Sequence, residues 1–172
     1  MNAAYVYLQI YRLFDRCTPL KVDCGNLCSG ACCKGEDCGM YLFPGEEEVY
    51  KLLTPDWINI ERSDFTYTVD EKIYNVPLAM CSGTCDRFDR PLACRIFPLT
   101  PYINTDGALD IIIDPRAKRL CPLAKAFYIE DFEPEFVNKV EKAFLLLMKN
   151  RYVRAFMNEY SLYLNEFLRF YK

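Results

Sequence analysis

Cys24-Gly25-Asn26-Leu27-Cys28-Ser29-Gly30-Ala31-Cys32-Cys33-Lys34-Gly35-Glu36-Asp37-Cys38 is the stretch on which the reading of this chain turns. Five thiols fall within fifteen residues, with Gly25, Gly30 and Gly35 between them and Gly39 just beyond. Thiolates are strong ligands for zinc and for iron–sulfur clusters. Glycine lets a backbone fold closely around such a centre. A second set, Cys81, Cys85, Cys94 and Cys121, lies downstream. The expectation is that the two sets meet in space around one or more metal centres.

The spacing constrains how the first set is used. On one regular helix, Cys24 and Cys32 would stand about 12 Å apart along the axis, at roughly 6 Å per four-residue step. Thiolate sulfurs on one zinc sit about 2.3 Å from it. Three cysteines at this spacing therefore cannot hold one ion from a straight helix. Either the stretch is a loop, which Gly25 and Gly30 favour, or the three serve more than one centre. Cys32 and Cys33 raise a related point. Adjacent side chains diverge, so both reach one ion only from an unusual backbone; otherwise one serves a second site or a partner cysteine.

Several familiar motifs are rejected. There is no paired C-x2-C to make a zinc ribbon, and no C-x-x-C of the thioredoxin kind. The run differs from that of bacterial ferredoxins. It misses the C-x3-C-x2-C of radical S-adenosylmethionine enzymes by one residue.

Around the second set the chain reads Arg90-Pro91-Leu92-Ala93-Cys94-Arg95-Ile96-Phe97-Pro98-Leu99. This resembles the R-P-x-x-C-R-x-F-P signature of the CxxCxxCC family of zinc- or iron-chelating domains. That family also has a compact cluster ending in Cys-Cys, matched here by Cys24, Cys28, Cys32 and Cys33. The resemblance implies eight metal ligands: Cys24, Cys28, Cys32, Cys33, Cys81, Cys85, Cys94 and Cys121. It spans roughly residues 24 to 122. The gaps in the first cluster are three residues rather than two, the Cys81–Cys85 interval is short, and Cys17 and Cys38 are additional. Flagellin lysine N-methylases carry a similar Cys-Cys cluster and provide a distant enzymatic relative.

Arg90 and Arg95 flank Cys94 and could offset the negative charge of a multi-thiolate centre, which is about −2 for four thiolates on one divalent ion. The competing reading pairs them with Asp86 or Asp89. Phe88, Phe97 and Leu99 are expected to pack as core around the site.

Composition bounds the rest. At 172 residues and 52% apolar content, the chain can bury a proper core as one domain, residues 1–172. It does not need disulfides to fold, and no signal peptide or apolar run long enough to span a membrane is evident. A cytoplasmic, reducing location is therefore expected, with disulfide bracing ranked low. The net charge of −3 argues against nucleic acid as a partner. The absence of histidine removes mixed cysteine–histidine sites and every histidine-dependent triad.

The expected fold is α+β, with cysteine-rich metal-binding loops, short β-hairpins and a C-terminal helical hairpin. Residues 3–16 read as a helix, with Ala4, Tyr7, Leu8, Tyr11 and Phe14 on one face. Glu46-Glu47-Glu48 open a short helix ending at Thr54-Pro55, and read as a solvated helix start. Phe65–Val69 and Lys72–Leu78 pair across Asp70-Glu71. A second hairpin runs from Arg95 to Ile113 around Asp106-Gly107. From about 134 to 171 the pattern is helical, with a break near Asn150-Arg151.

Two functions stand against each other. One is a metal-binding protein, coordinating zinc or iron, an iron–sulfur cluster included, for structural, storage or sensing purposes. The other is a metal-dependent protein-modifying enzyme related to flagellin lysine N-methylase. No Gly-rich cofactor loop and no acid–base pair supports the second. The partner is a metal ion, with a protein partner or substrate left open and neither membrane nor nucleic acid expected.

Overall fold

In the computed structural model of the chain, residues 2–34, 39–83, 85 and 87–170 are described. Helix α1 (Ala3–Leu13) starts where the Asn2 side chain accepts the backbone N–H of Ala4. It buries Ala4, Tyr7, Ile10 and Tyr11. The first cysteine stretch is not one helix. It is a single turn, α2 (Gly25–Cys28), then left-handed residues at Ser29 and Gly30, then a 3-10 turn at Ala31–Cys33. The loop reading thus holds.

Strand β1 (Gly39–Tyr41) precedes helix α3 (Glu47–Leu53). Strands β2 (Ile58–Val69) and β3 (Lys72–Cys81) form a long antiparallel hairpin with Val69 opposite Lys72. Asp70 and Glu71 both take positive φ, 49° and 63°, which is the backbone that a two-residue hairpin turn demands. β1 adds to the other edge of β3, giving the order β1-β3-β2. Gly39 faces Met80 there, and a Cβ at Gly39 would lie 2.8 Å from the Met80 sulfur.

Helix α4 (Leu92–Ile96) occupies what the sequence reading took as the first arm of the second hairpin. Pro91 precedes its first turn, and the Arg95 N–H returns to the Pro91 carbonyl at 3.1 Å. The hairpin proper is β4 (Leu99–Ile103) with β5 (Leu109–Ile113), joined through Asn104 and Gly107. A 3-10 turn at Pro115–Arg119 and helix α5 (Pro122–Ala126) follow.

Helices α6 (Pro134–Leu147) and α7 (Arg151–Phe170) make the expected C-terminal hairpin. Their apolar stripes face inward: Val140, Phe144 and Leu147 from α6, and Val153, Phe156, Met157, Tyr160 and Leu164 from α7. Phe43 meets Phe144 and Phe156 edge-on at 4.8 and 5.6 Å, and Phe65 of β2 meets Phe156 at 6.0 Å. Phe14 of α1 meets Phe136 of α6 at 6.2 Å. The hairpin therefore packs across β2 and the N-terminal helix to close one α+β core. No helix among the described residues is long and apolar enough to cross a membrane.

Glu46 corrects the reading of a solvated helix start. It is wholly buried, and its carboxylate accepts hydrogen bonds from the Tyr11 hydroxyl, the Phe43 N–H and the Leu92 N–H. Glu47 and Glu48 remain partly exposed. The physical reason is geometric: residue 46 precedes the first turn of α3, at the junction of α1, α3 and α4, where three donors converge.

Candidate thiol cluster

Five of the expected ligands line one cleft. Cys32 and Cys33 come from the first loop, Cys81 from the end of β3, Cys85 from the loop after it, and Cys94 from α4. The two loops touch directly. Gly83 has a φ of +86°, and a Cβ there would stand 3.2 Å from the Cys33 carbonyl oxygen. The Cys81 sulfur accepts the Gly83 N–H at 3.4 Å.

Cys32 and Cys33 do not diverge. Their sulfurs lie 3.8 Å apart, because the pair sits on a tight 3-10 turn. That is close to the roughly 3.8 Å separating two thiolates on a tetrahedral ion with 2.3 Å bonds. The shared proton splits their acidities. Cys33 is lowered to about 6, chiefly by the hydrogen bond from Cys32, against burial and with help from Arg90. Cys32 is raised correspondingly, by that same hydrogen bond and then by burial.

Arg90 is the cation of the cluster. Its Nε donates to the Cys85 sulfur at 3.0 Å, and its charge also acts on Cys33 and Cys94. Burial raises Cys85, with Arg90 pulling the other way. Cys94 is raised by burial first, then by the neighbouring thiols of Cys33 and Cys85. Its thiol points at the Met40 thioether, 3.2 Å away.

Arg95 plays a different part. Its guanidinium donates to the carbonyls of Arg90, Phe88 and Tyr11, lies 4.1 Å from the Tyr11 ring centre, and has Asp15 at 3.5 Å. It fixes the backbone on both sides of the site rather than meeting the thiols. Its carboxylate partner is Asp15, not Asp89; Asp86 lies outside the described residues. Phe88, expected in the core, is 60% exposed, whereas Leu99 is buried and Phe97 half-buried.

Cys24 and Cys28 sit beside this cleft. Both act electrostatically on Cys32, and Cys24 lines a small hollow together with Cys94 and Arg90. Cys121 does not line the cleft, although its neighbour Leu120 does. It is buried in the apolar core at the start of α5, outside the cleft wall. Cys17 is likewise buried, near Lys139 and Glu135 of α6. Cys38 lies outside the described residues.

No disulfide joins the described cysteines. The donor chemistry suits a thiophilic ion, and Cys32 and Cys33 stand at ligand spacing. Among the described residues, however, no three Cys, Asp or Glu side chains converge closely enough to hold one cation. The geometry supplies a ligand pair within reach of further thiols, not a closed shell.

Sequence reasoning did not find the cleft itself. It has a volume of about 810 Å³, and apolar side chains of β1, β3, β4 and α7 make much of its wall. Tyr41, Trp57, Tyr160 and Tyr163 belong to that wall and come from distant parts of the chain, so no local spacing announces them. Comparison with family models, with curated proteins and with solved structures gives no match to this chain.

Proposed function

We propose that this protein binds a thiophilic metal, zinc or iron or an iron–sulfur cluster, through the cysteines gathered at the cleft. The observation that carries the reading is the meeting of Cys32 and Cys33 with Cys81, Cys85 and Cys94, from three separate parts of the chain, around Arg90. A half-buried cation beside thiols lowers the cost of holding several thiolates together. Completing a coordination shell requires the Cys24–Cys33 loop to draw in on the ion, in the way that metal binding commonly orders its own ligands. Thiolate ligation of this kind belongs to a reducing compartment, and we assign the cytoplasm.

Elemental analysis with an optical spectrum of anaerobically purified protein tests this. About one or two zinc per chain, or iron with acid-labile sulfide, is the expected result. Metal-free protein from an anaerobic, reducing preparation overturns it.

The cleft favours a second reading, a metal-dependent protein-modifying enzyme related to flagellin lysine N-methylase. A catalytic ion keeps a coordination position open, and a structural one does not. In cobalt-substituted protein, a spectral change on adding cyanide supports the enzyme; an unchanged spectrum supports the closed site.

A further inference from the structure

The same cleft carries a second polar group that the thiols do not use. Arg116, in the turn after β5, is clamped by Asp114, whose side chain is only 6% exposed. Nε of Arg116 donates to Asp114 Oδ1 at 3.0 Å, and Nη2 donates to Oδ2 at 2.5 Å. Nη2 also donates to the hydroxyl of Tyr160 on α7. Thr100 Oγ1 donates to that same oxygen at 3.5 Å.

Tyr160 is 4% exposed, so its hydroxyl must find its partners locally. The oxygen already accepts from Arg116 and Thr100. Its own O–H has no acceptor among the described residues. Nη1 of Arg116 likewise makes no hydrogen bond among them. Both residues line the cleft, which therefore presents two donors with no facing acceptor.

The surroundings narrow the ligand. The Arg116 guanidinium lies 5.2 Å from the Tyr160 ring centre and 5.8 Å from that of Tyr163, so the aromatic faces already have their cation. A ligand ammonium would meet that charge. Asp114 already offsets the single charge of Arg116, so the head of the cleft offers directed donors rather than net charge, which disfavours a dianion. Two donors match the two oxygens of a carboxylate. Tyr41, Trp57, Leu78 and Met80 supply an apolar stretch of the wall, which Lys34, Glu61 and Arg90 also line, and about 810 Å³ accommodates a body of drug size.

We propose that the cleft binds an organic carboxylate with an apolar body, its head held by Arg116 Nη1 and the Tyr160 hydroxyl. The proposal stands apart from the metal reading, because neither residue contacts a thiol among the described residues.

The test is calorimetric titration of the full chain, with and without zinc, using decanoate, 1-naphthylacetate and the neutral amide of each. At least one acid should bind saturably at one per chain, and about tenfold more tightly than its amide. Which acid binds better tells a chain-like ligand from a flat one. Arg116→Gln should bring acid and amide to within about twofold of each other. Tyr160→Phe keeps the ring and removes one donor, and should weaken only the acid, by roughly fivefold. Equal binding of acid and amide by the unmodified protein overturns the proposal. So does the absence of binding by both acids up to about 1 mM. Loss of binding in metal-free protein alone would tie the cleft to the metal and overturn the stated independence.

Discussion

Oε1 of Glu46 accepts the backbone N–H of Leu92 at 2.6 Å, and thereby joins the start of α3 to the helix that carries Cys94. The same oxygen takes the Tyr11 hydroxyl at 2.6 Å, and the other takes the Phe43 N–H at 3.0 Å. One buried carboxylate thus organises α1, α3 and α4. Glu46→Ala would leave two backbone donors without an acceptor and the Tyr11 phenol with only the Tyr50 hydroxyl, 3.2 Å away. We expect a loss of about 3 kcal/mol or more, read as a lower urea midpoint at unchanged slope.

Burial pushes the Glu46 carboxyl up to about 7, against the hydrogen bonds from Leu92, Tyr11 and Phe43 and the charge of Arg95, which all act to lower it. The unfolded chain releases this proton near pH 4.3. Between about pH 4 and 7 the folded state therefore binds the extra proton, and stability falls as pH rises across that window. The contribution is fully present below about pH 4 and lost above about pH 7, worth about 4 kcal/mol in all. Urea unfolding of the parent and of Glu46→Gln, under reductant at several pH values, checks this: the slope belongs to the parent alone.

Arg90 acts to lower the pKa of both Cys33 and Cys85, in Cys85 against a larger upward push from burial. Arg90→Gln should raise both and slow their alkylation by iodoacetamide near pH 7.5 by roughly tenfold, one unit being a tenfold change in thiolate. Mass spectrometry of the labelled peptides gives the rates. Arg90→Lys should recover part of the effect, since it keeps the charge but not the planar donor.

The eight cysteines expected as ligands should separate in a substitution series. Cys33→Ser and Cys94→Ser remove cleft thiols and should weaken zinc binding by roughly 100-fold or more, judged against the effect of losing a mere supporting contact. Cys121→Ser should keep the metal and lower the melting temperature, because it places a hydroxyl in the apolar core. Competition with a chromogenic chelator provides the affinities.

The turn at Asp70-Glu71 holds both residues in the left-handed region. Glu71→Gly should raise stability by about 1 kcal/mol, as relief of the left-handed penalty outweighs the added freedom of the unfolded chain. Asp70 should be left in place, because it pairs with Arg151 at 2.6 Å.

Much of this architecture was legible because the signals were periodic or local. The stripes of α6 and α7, the face of α1 and the Asp70-Glu71 turn followed from spacing and turn chemistry alone. The Arg95–Phe97 stretch misled because Ile96 and Phe97 look like strand residues, while Pro91 upstream starts a helix and the strand begins only at Leu99. Glu46 misled because acidic residues ahead of a helix are ordinarily solvated, and only the arrival of α1 and α4 buries this one. The gathering of two cysteine sets was an inference from thiol chemistry. Their cleft mates Tyr160 and Arg116 meet through β4, β5 and α7, a relation that no window of sequence contains.

The two walls of the thiol cleft are built to different standards. Cys94 stands on a helix whose neighbours Leu92, Arg95 and Ile96 are buried, whereas none of Gly25–Cys28 or Ala31–Cys33 is. The apolar core takes in Cys17 and Cys121 but none of the five thiols that line the cleft. This chain should therefore be a finished protein before any metal arrives, with one jaw rigid and the other hanging open. On the proposed metal reading, stripping the ion would slacken a clasp rather than unravel a domain, and amide exchange should quicken in residues 24–33 while the C-terminal helices keep their protection.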